Sequence, residues 1–168
     1  MILGPSVNVN RIARGGRNGE YISGEDAYLG ARMAAACDSE HASLRARLTT
    51  VPLRRLGAFC RYVRGVQREG VAASVKHFVL NSQETNRNSE SSHVNERALF
   101  EIYYAPFQAA IEAGAAAVMC GYNKVDGEWA CNSEKLLVTD LRETMNFKGF
   151  VQSDWCASKY TRPGRTPP

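Results

Sequence analysis

From Val71 onward, short apolar runs alternate with stretches of helical period. Val71–Phe78 (VAASVKHF) is brief, apolar and partly β-branched, as a buried strand should be. In the following VNERALFEIYYAPFQAAIEAG, Leu99, Ile102, Tyr103, Phe107, Ala110 and Ile111 recur every three or four residues, which predicts a helix ended by Gly114. Pro106 within it predicts a kink or a division into two helices, because proline lacks the N–H and crowds the preceding turn. Ala115–Cys120 (AAAVMC) reads as a second strand. A turn signal at Val125-Asp126-Gly127 leads into NSEKLLVTDLRETM, a helix that Asn132 or Ser133 can cap. Gly149–Ser153 (GFVQS) is a third strand.

Strand, helix, strand, helix, strand with buried strands is the pattern of a parallel α/β sheet. Ligands meet such sheets at the carboxyl ends of the strands. All three ends turn polar at the same place in the pattern: Lys76-His77, then Met119 to Asn123, then Asp154-Trp155. That agreement points to a site. Upstream, glycines and asparagines predict a long ordered loop, followed by a helix starting near Glu25-Asp26. YVRGVQREG, from Tyr62, reads as the end of a helix that LGARMAAA could have begun.

Composition changes this picture little. With 168 residues, 44% hydrophobic and 23% charged, the chain is one domain or part of one. No run reaches the roughly 18 apolar residues of a membrane helix, and the N-terminus has no signal-peptide pattern. The net charge of +4 is local. Cys37–Arg61 carries five arginines against Asp38 and Glu40, and the tail from Lys159 carries Lys159, Arg162 and Arg165 with no acid. The remaining 13 basic and 15 acidic residues form no basic face interleaved with aromatics, so nucleic-acid binding is not expected. Five cysteines, odd in number and without a CxxC, indicate neither a zinc site nor a disulfide framework. Cys120 reads as a small buried thiol.

Four stretches together resemble the N-terminal catalytic barrel of glycoside hydrolase family 3, the β-glucosidase family. They are LGPSVNVNRIARGGRNGEYISGEDAYLG, GVAASVKHFVLNSQETNR, VNERALFEIYYAPFQAAIEAGAAAVMCGYN and LLVTDLRETMNFKGFVQSDW. The resemblance implies a (β/α)8 TIM-type barrel with parallel strands, of which this chain is a part. It implies hydrolysis of O-glycosyl bonds with retention, on a β-linked glucoside or related oligosaccharide. Asp154, in the motif's SDW, takes the place of the nucleophile. A retaining glycosidase needs an ionised carboxylate about 5–5.5 Å from a second, protonated one, and nearby cations suit a carboxylate that must stay charged. Lys76 and His77 resemble the pair that donates to the sugar hydroxyls, and Arg17 the arginine that grips the same sugar. Arg87 resembles a pocket arginine and can pair with Glu84. Tyr122 resembles the tyrosine beside the nucleophile, Met119 an apolar wall, and Trp155 the aromatic that stacks on the leaving-group sugar. Most have a plainer alternative: a helix-capping or surface aspartate for Asp154, a surface lysine at a strand end for Lys76, loop charges for Glu84 and Arg87, packing for Met119 and Tyr122, a core histidine or indole for His77 and Trp155. His93 and Glu96-Arg97 read as structural. Neither the residues nor the resemblance calls for a cofactor or a metal.

Three departures bound the expectation. The family's first strand and an early sugar-binding aspartate should precede Met1. A TIM barrel takes about 250 residues, so later strands should follow, and no glutamate here matches the acid/base residue. Arg17 and Lys76 lie 59 positions apart, farther than in the family. Deleting about 25 residues around 37–61 would fuse RMAAA and YVRGVQ into one helix. This segment is therefore read as a non-native insertion, from translated intron or a gene-model error. Residues 1–158 are the incomplete barrel domain, and the proline-rich 159–168 a disordered tail. Unpaired strand edges predict poor solubility or partial folding of the isolated chain, with no measurable glycosidase turnover. Two other functions fit some residues: a non-catalytic carbohydrate-binding or pseudoenzyme fragment, and a Schiff-base aldolase using Lys76.

Overall fold

The structure is a computed structural model; it describes residues 1–34 and 62–160, the last two by backbone only. The three expected strands form one parallel sheet: β1 (Ser74–Phe78), β3 (Ala117–Cys120) and β6 (Phe150–Ser153), in the order β1-β3-β6. The N-terminal segment extends it on the far side of β1. Ile2 bridges Ala73 and Ser6 bridges Lys76, both parallel, and Tyr21 in turn bridges Ser6. From Ile2 and Ser6 through β1, β3 and β6, sequence order and spatial order agree, as in part of a (β/α) barrel.

Register separates the two faces. Val75, Val118 and Val151 lie side by side and join the apolar core under the helices. Lys76, Met119 and Gln152 form the next row, on the opposite face by strand alternation. At the open edge, Phe150 of β6 is 48% exposed.

The helices follow the periodicity with local differences. α1 (Ala27–Ala34) is capped by Asp26, whose Oδ1 accepts from the N–H groups of Tyr28 and Leu29 at 2.8 and 3.1 Å. α2 spans Tyr62–Arg68. The predicted long helix divides into α3 (Glu96–Ala98), a π-helical turn over Leu99–Tyr103, and α4 (Ala105–Glu112). The break falls at Tyr104, and Pro106 sits in the first turn of α4, where its missing N–H costs nothing. Phe78 of β1 stacks on Tyr104, with centroids 5.4 Å apart, and meets Phe107 edge-on at 5.1 Å. Each such fully buried aromatic contributes roughly 1.5–3 kcal/mol. The stretch after Ser133 is π-helical over Lys135–Thr144, and Ser133 Oγ accepts from Leu136 N–H. Its buried Asp140 takes the Tyr104 hydroxyl at 2.6 Å and Lys135 Nζ at 2.7 Å, tying this helix to α4.

A second small sheet joins β2 (Ser91–Ser92), β4 (Lys124–Val125) and β5 (Glu128–Trp129). Its hairpin turns on Asp126 and Gly127, with φ of +48° and +88°, the Asp-Gly pair that a two-residue turn needs. The turn carries Cys131 back to the end of β3, where it is disulfide-bonded to Cys120 with Cα atoms 5.2 Å apart. This corrects the sequence reading of Cys120 as a thiol. Eleven residues of separation give no local signature; the hairpin makes the pairing. His93 faces Asp126 at 3.0 Å and Arg97 faces Glu101 at 3.0 Å on the surface. A 3-10 turn runs over Ala157–Tyr160. The segment read as an insertion, 37–61, and residues 161–168 of the tail read from 159 lie outside the described residues; Lys159 and Tyr160 close that turn.

Candidate active site

Three strand ends and one loop converge. Asp154 follows β6, and its N–H donates to the carbonyl of Cys120 at 3.2 Å, which anchors it to the end of β3. Its Oδ1 accepts from Trp155 N–H at 2.8 Å, fixing the plane of the carboxylate. Oδ2 lies 3.4 Å from Arg17 Nη1 and 3.3 Å from His77 Nε2. Asp154 is 5% exposed and His77 fully buried.

The backbone of His77 is pinned by a residue the sequence reading passed over. Asn8 accepts from His77 N–H at 2.6 Å and donates to its carbonyl at 2.9 Å. Burial first, and the Arg17 charge second, push the imidazole down to about 3, so it is neutral. Arg17 Nη2 stands 2.9 Å from His77 Nε2. A guanidinium can only donate, so Nε2 accepts and the ring proton sits on Nδ1. With Nε2 unprotonated, its approach to Asp154 Oδ2 is no hydrogen bond. Arg17 instead spans the two, one terminal nitrogen toward each.

Arg17 starts a 3-10 turn over Asn18–Glu20, and its Nε donates to Glu20 Oε1 at 2.5 Å. Glu20 Oε2 holds Lys76 Nζ at 3.0 Å and receives the Ser6 hydroxyl at 3.3 Å. Burial would raise the Glu20 carboxyl, but the hydrogen bonds from Lys76 and Arg17 outweigh it and hold it below the usual range. Burial likewise opposes charge on Arg17, and Glu20 more than restores it. Glu84 pairs with Arg87 at 2.6 Å, as expected, and lies 3.6 Å from Arg17 Nε. The Arg87 guanidinium lies over the Tyr122 ring at 4.1 Å. Tyr122, 6% exposed, neighbours Asp154; burial and then that carboxylate raise its hydroxyl.

Of the residues singled out by sequence, Arg17, His77, Tyr122 and Asp154 form one cluster, with Lys76 attached through Glu20 and Arg87 through Glu84 and Tyr122. Met119 is buried in the row between Lys76 and Gln152. Trp155 is 79% exposed, so it is not a core indole. Glu20 was missed; its signal was the i,i+3 spacing from Arg17 within GRNGE. Cations and carboxylates balance here: Arg17, Lys76 and Arg87 against Glu20, Glu84 and Asp154. Such a cluster can bind a neutral, hydroxyl-rich ligand through charged donors and present one carboxylate to it. Among the described residues, no cluster of histidine, cysteine and acidic side chains could hold a metal ion.

Known proteins share this framework. Residues 55–164 match the model of the glycosyl hydrolase family 3 N terminal domain. A β-glucosidase of Rhizobium radiobacter is 40% identical over 162 residues, 96% of this chain and 17% of the relative. β-Glucosidase cel3A of Pyricularia oryzae is 48% identical over 99 residues, 59% of this chain and 14% of its own length. Among solved structures, DesR, a β-glucosidase from Streptomyces venezuelae in complex with D-glucose, superposes with a TM-score of 0.74 at 34% identity, over 94% of this chain and 17% of that one. β-Glucosidase 3B from Thermotoga neapolitana, in complex with glucose, gives 0.71 at 38%, over 91% and 18%. This chain therefore spans less than a fifth of the length of these relatives. From the strand order, the charged cluster at the strand ends and these likenesses together, the chain belongs to glycosyl hydrolase family 3, within its N-terminal barrel domain.

Proposed function

We propose that this chain supplies the nucleophile half of a retaining β-glucosidase active site, with Asp154 as the attacking carboxylate. One observation carries the reading: Asp154 leaves the tip of β6 with its N–H bonded to the Cys120 carbonyl and its carboxylate to Trp155 N–H, within 3.4 Å of both Arg17 and His77. In that reading a β-glucoside enters above the strand ends. Arg17, Lys76, His77 and Arg87 bond its hydroxyls, and Trp155 meets the leaving-group sugar. An oxygen of Asp154 attacks the anomeric carbon as the aglycone departs, giving an α-linked glucosyl ester that water then opens. Met119 forms an apolar wall beside Lys76, and Tyr122 stands beside the nucleophile.

Neither of the other carboxylates paired with Arg17 supplies the second group. Glu20 and Glu84 are each held by cations, and Glu20 stays ionised, so neither is placed as a proton donor. The chain alone therefore gives no turnover of ordinary glucosides, whose leaving groups need that proton. An activated leaving group does not. Incubation with 2,4-dinitrophenyl 2-deoxy-2-fluoro-β-glucoside should add one fluoroglucosyl unit, mapped to the peptide carrying Asp154. Label on another residue, or none, overturns the assignment. A sugar-binding fragment without chemistry predicts saturable glucose binding and no label. A Schiff-base aldolase predicts borohydride trapping at Lys76, which its ion pair with Glu20 disfavours, since an ammonium cannot attack a carbonyl.

A further inference from the structure

We infer that Glu20 is a positioning residue that fixes where the two sugar-gripping cations stand beside the nucleophile; this rests on the reading of Asp154 above. Glu20 is the only carboxylate in the cluster that contacts both Arg17 and Lys76 among the described residues. Its two oxygens divide the work. Oε1 takes Arg17 Nε at 2.5 Å, so the two terminal nitrogens of the fork are turned toward His77 and Asp154. Oε2 takes Lys76 Nζ at 3.0 Å. Ser6 Oγ, bridged by backbone to β1, donates to the same Oε2 and fixes the carboxylate against the sheet.

Without this anion the balance at the site changes. Lys76 loses its carboxylate partner, and Arg17 keeps only Glu84 at 3.6 Å and Asp154 at 3.4 Å. The stronger pull then falls on Asp154, which draws the guanidinium across the face that the sugar must occupy. Glu20 thus sets where both donors wait before the sugar arrives, a preorganising role. Its effect belongs to binding of the sugar, because the grip is made before the anomeric bond breaks.

The test is fluoroglucoside labelling of the full chain, followed by intact mass against probe concentration. Glu20→Gln should raise the concentration for half-maximal labelling about tenfold, the lower end for a charge-assisted contact because Glu20 is one-third exposed. The maximal labelling rate should change less than about threefold. Glu20→Asp keeps the charge but reaches only one cation, so it should fall between the two. When Arg17 and Lys76 are already methionine, adding Glu20→Gln should cost nothing further, a coupling that a merely structural residue would not show. Unchanged half-maximal concentration in Glu20→Gln, or an undiminished penalty in the Arg17→Met/Lys76→Met background, overturns the inference. If Glu20→Gln does not fold, Glu20→Asp decides by the same criteria. Failure of the unaltered chain to label at Asp154 is a different result: it removes the nucleophile reading, and the role of Glu20 with it.

Discussion

Lowering the pH from 7 to 5 should weaken the fold by an amount traceable to His77. In the native state this imidazole is fully buried and its pKa is pushed down to about 3, by burial first and by the Arg17 charge beside it second. In the unfolded chain it titrates near 6.5. The unfolded state therefore takes the proton first. The contribution of a neutral His77 is complete above about pH 6.5 and is lost as pH falls toward 3. Between pH 7 and 5 the loss amounts to about 2 kcal/mol, at roughly 1.4 kcal/mol per unit below 6.5. Glu20, held below the usual carboxylate range by Lys76 and Arg17, stays charged over this interval, and the difference between chain and variant isolates His77. The assay is urea unfolding at pH 7 and pH 5 of the chain and of His77→Gln. The chain should lose about 2 kcal/mol more than the variant between the two conditions. A 13C-labelled imidazole, assigned among the three histidines through the same variant, should show no titration of His77 between pH 8 and 5. Parallel losses in the two proteins, or a His77 midpoint near 6.5, would refute the reasoning.

Other expectations follow from contacts away from the sugar. Cys131→Ser opens the disulfide to Cys120; its separation of 11 residues corresponds to about 3 kcal/mol of lost chain restriction, readable as a lower urea midpoint that reductant also produces in the unaltered chain. Tyr104→Phe keeps the stack on Phe78 but removes the donor to buried Asp140, and should cost about 1.5–3 kcal/mol, a drop in Tm of several degrees. Phe150→Lys places a charge on the open sheet edge and should raise the soluble fraction at matched expression, with the far-ultraviolet circular dichroism unchanged.

The elements that sequence made legible were those with a strict period. Strands β1, β3 and β6 fall inside the three apolar runs, and the polar residues at their ends meet at the cluster. The helix division was legible through Pro106, though the break sits at Tyr104, because proline is best accommodated just after a helix begins. The π-helical turns were not legible, since a shift from four-residue to five-residue bonding leaves the apolar spacing nearly unchanged. Cys120 and Cys131 pair through a hairpin that single-residue spacing does not encode. The roles of Asn8 and Glu20 were hidden for a related reason. Each acts by hydrogen bonds across the sheet or a turn, Asn8 to a backbone 69 positions away, and polar loop residues carry no mark of what they will meet. Motif resemblance, by contrast, named Arg17, Lys76, His77, Tyr122 and Asp154, because the order of short motifs preserves what periodicity cannot.

The most direct test of Asp154 removes its side chain and supplies a substitute. Asp154→Gly should not react with 2,4-dinitrophenyl β-glucoside in plain buffer. With added azide it should release dinitrophenolate and form glucosyl azide of α configuration, the small anion attacking from the space the carboxylate held. Azide that leaves the variant inert, while the unaltered chain still takes up the fluoroglucosyl label, would contradict the account.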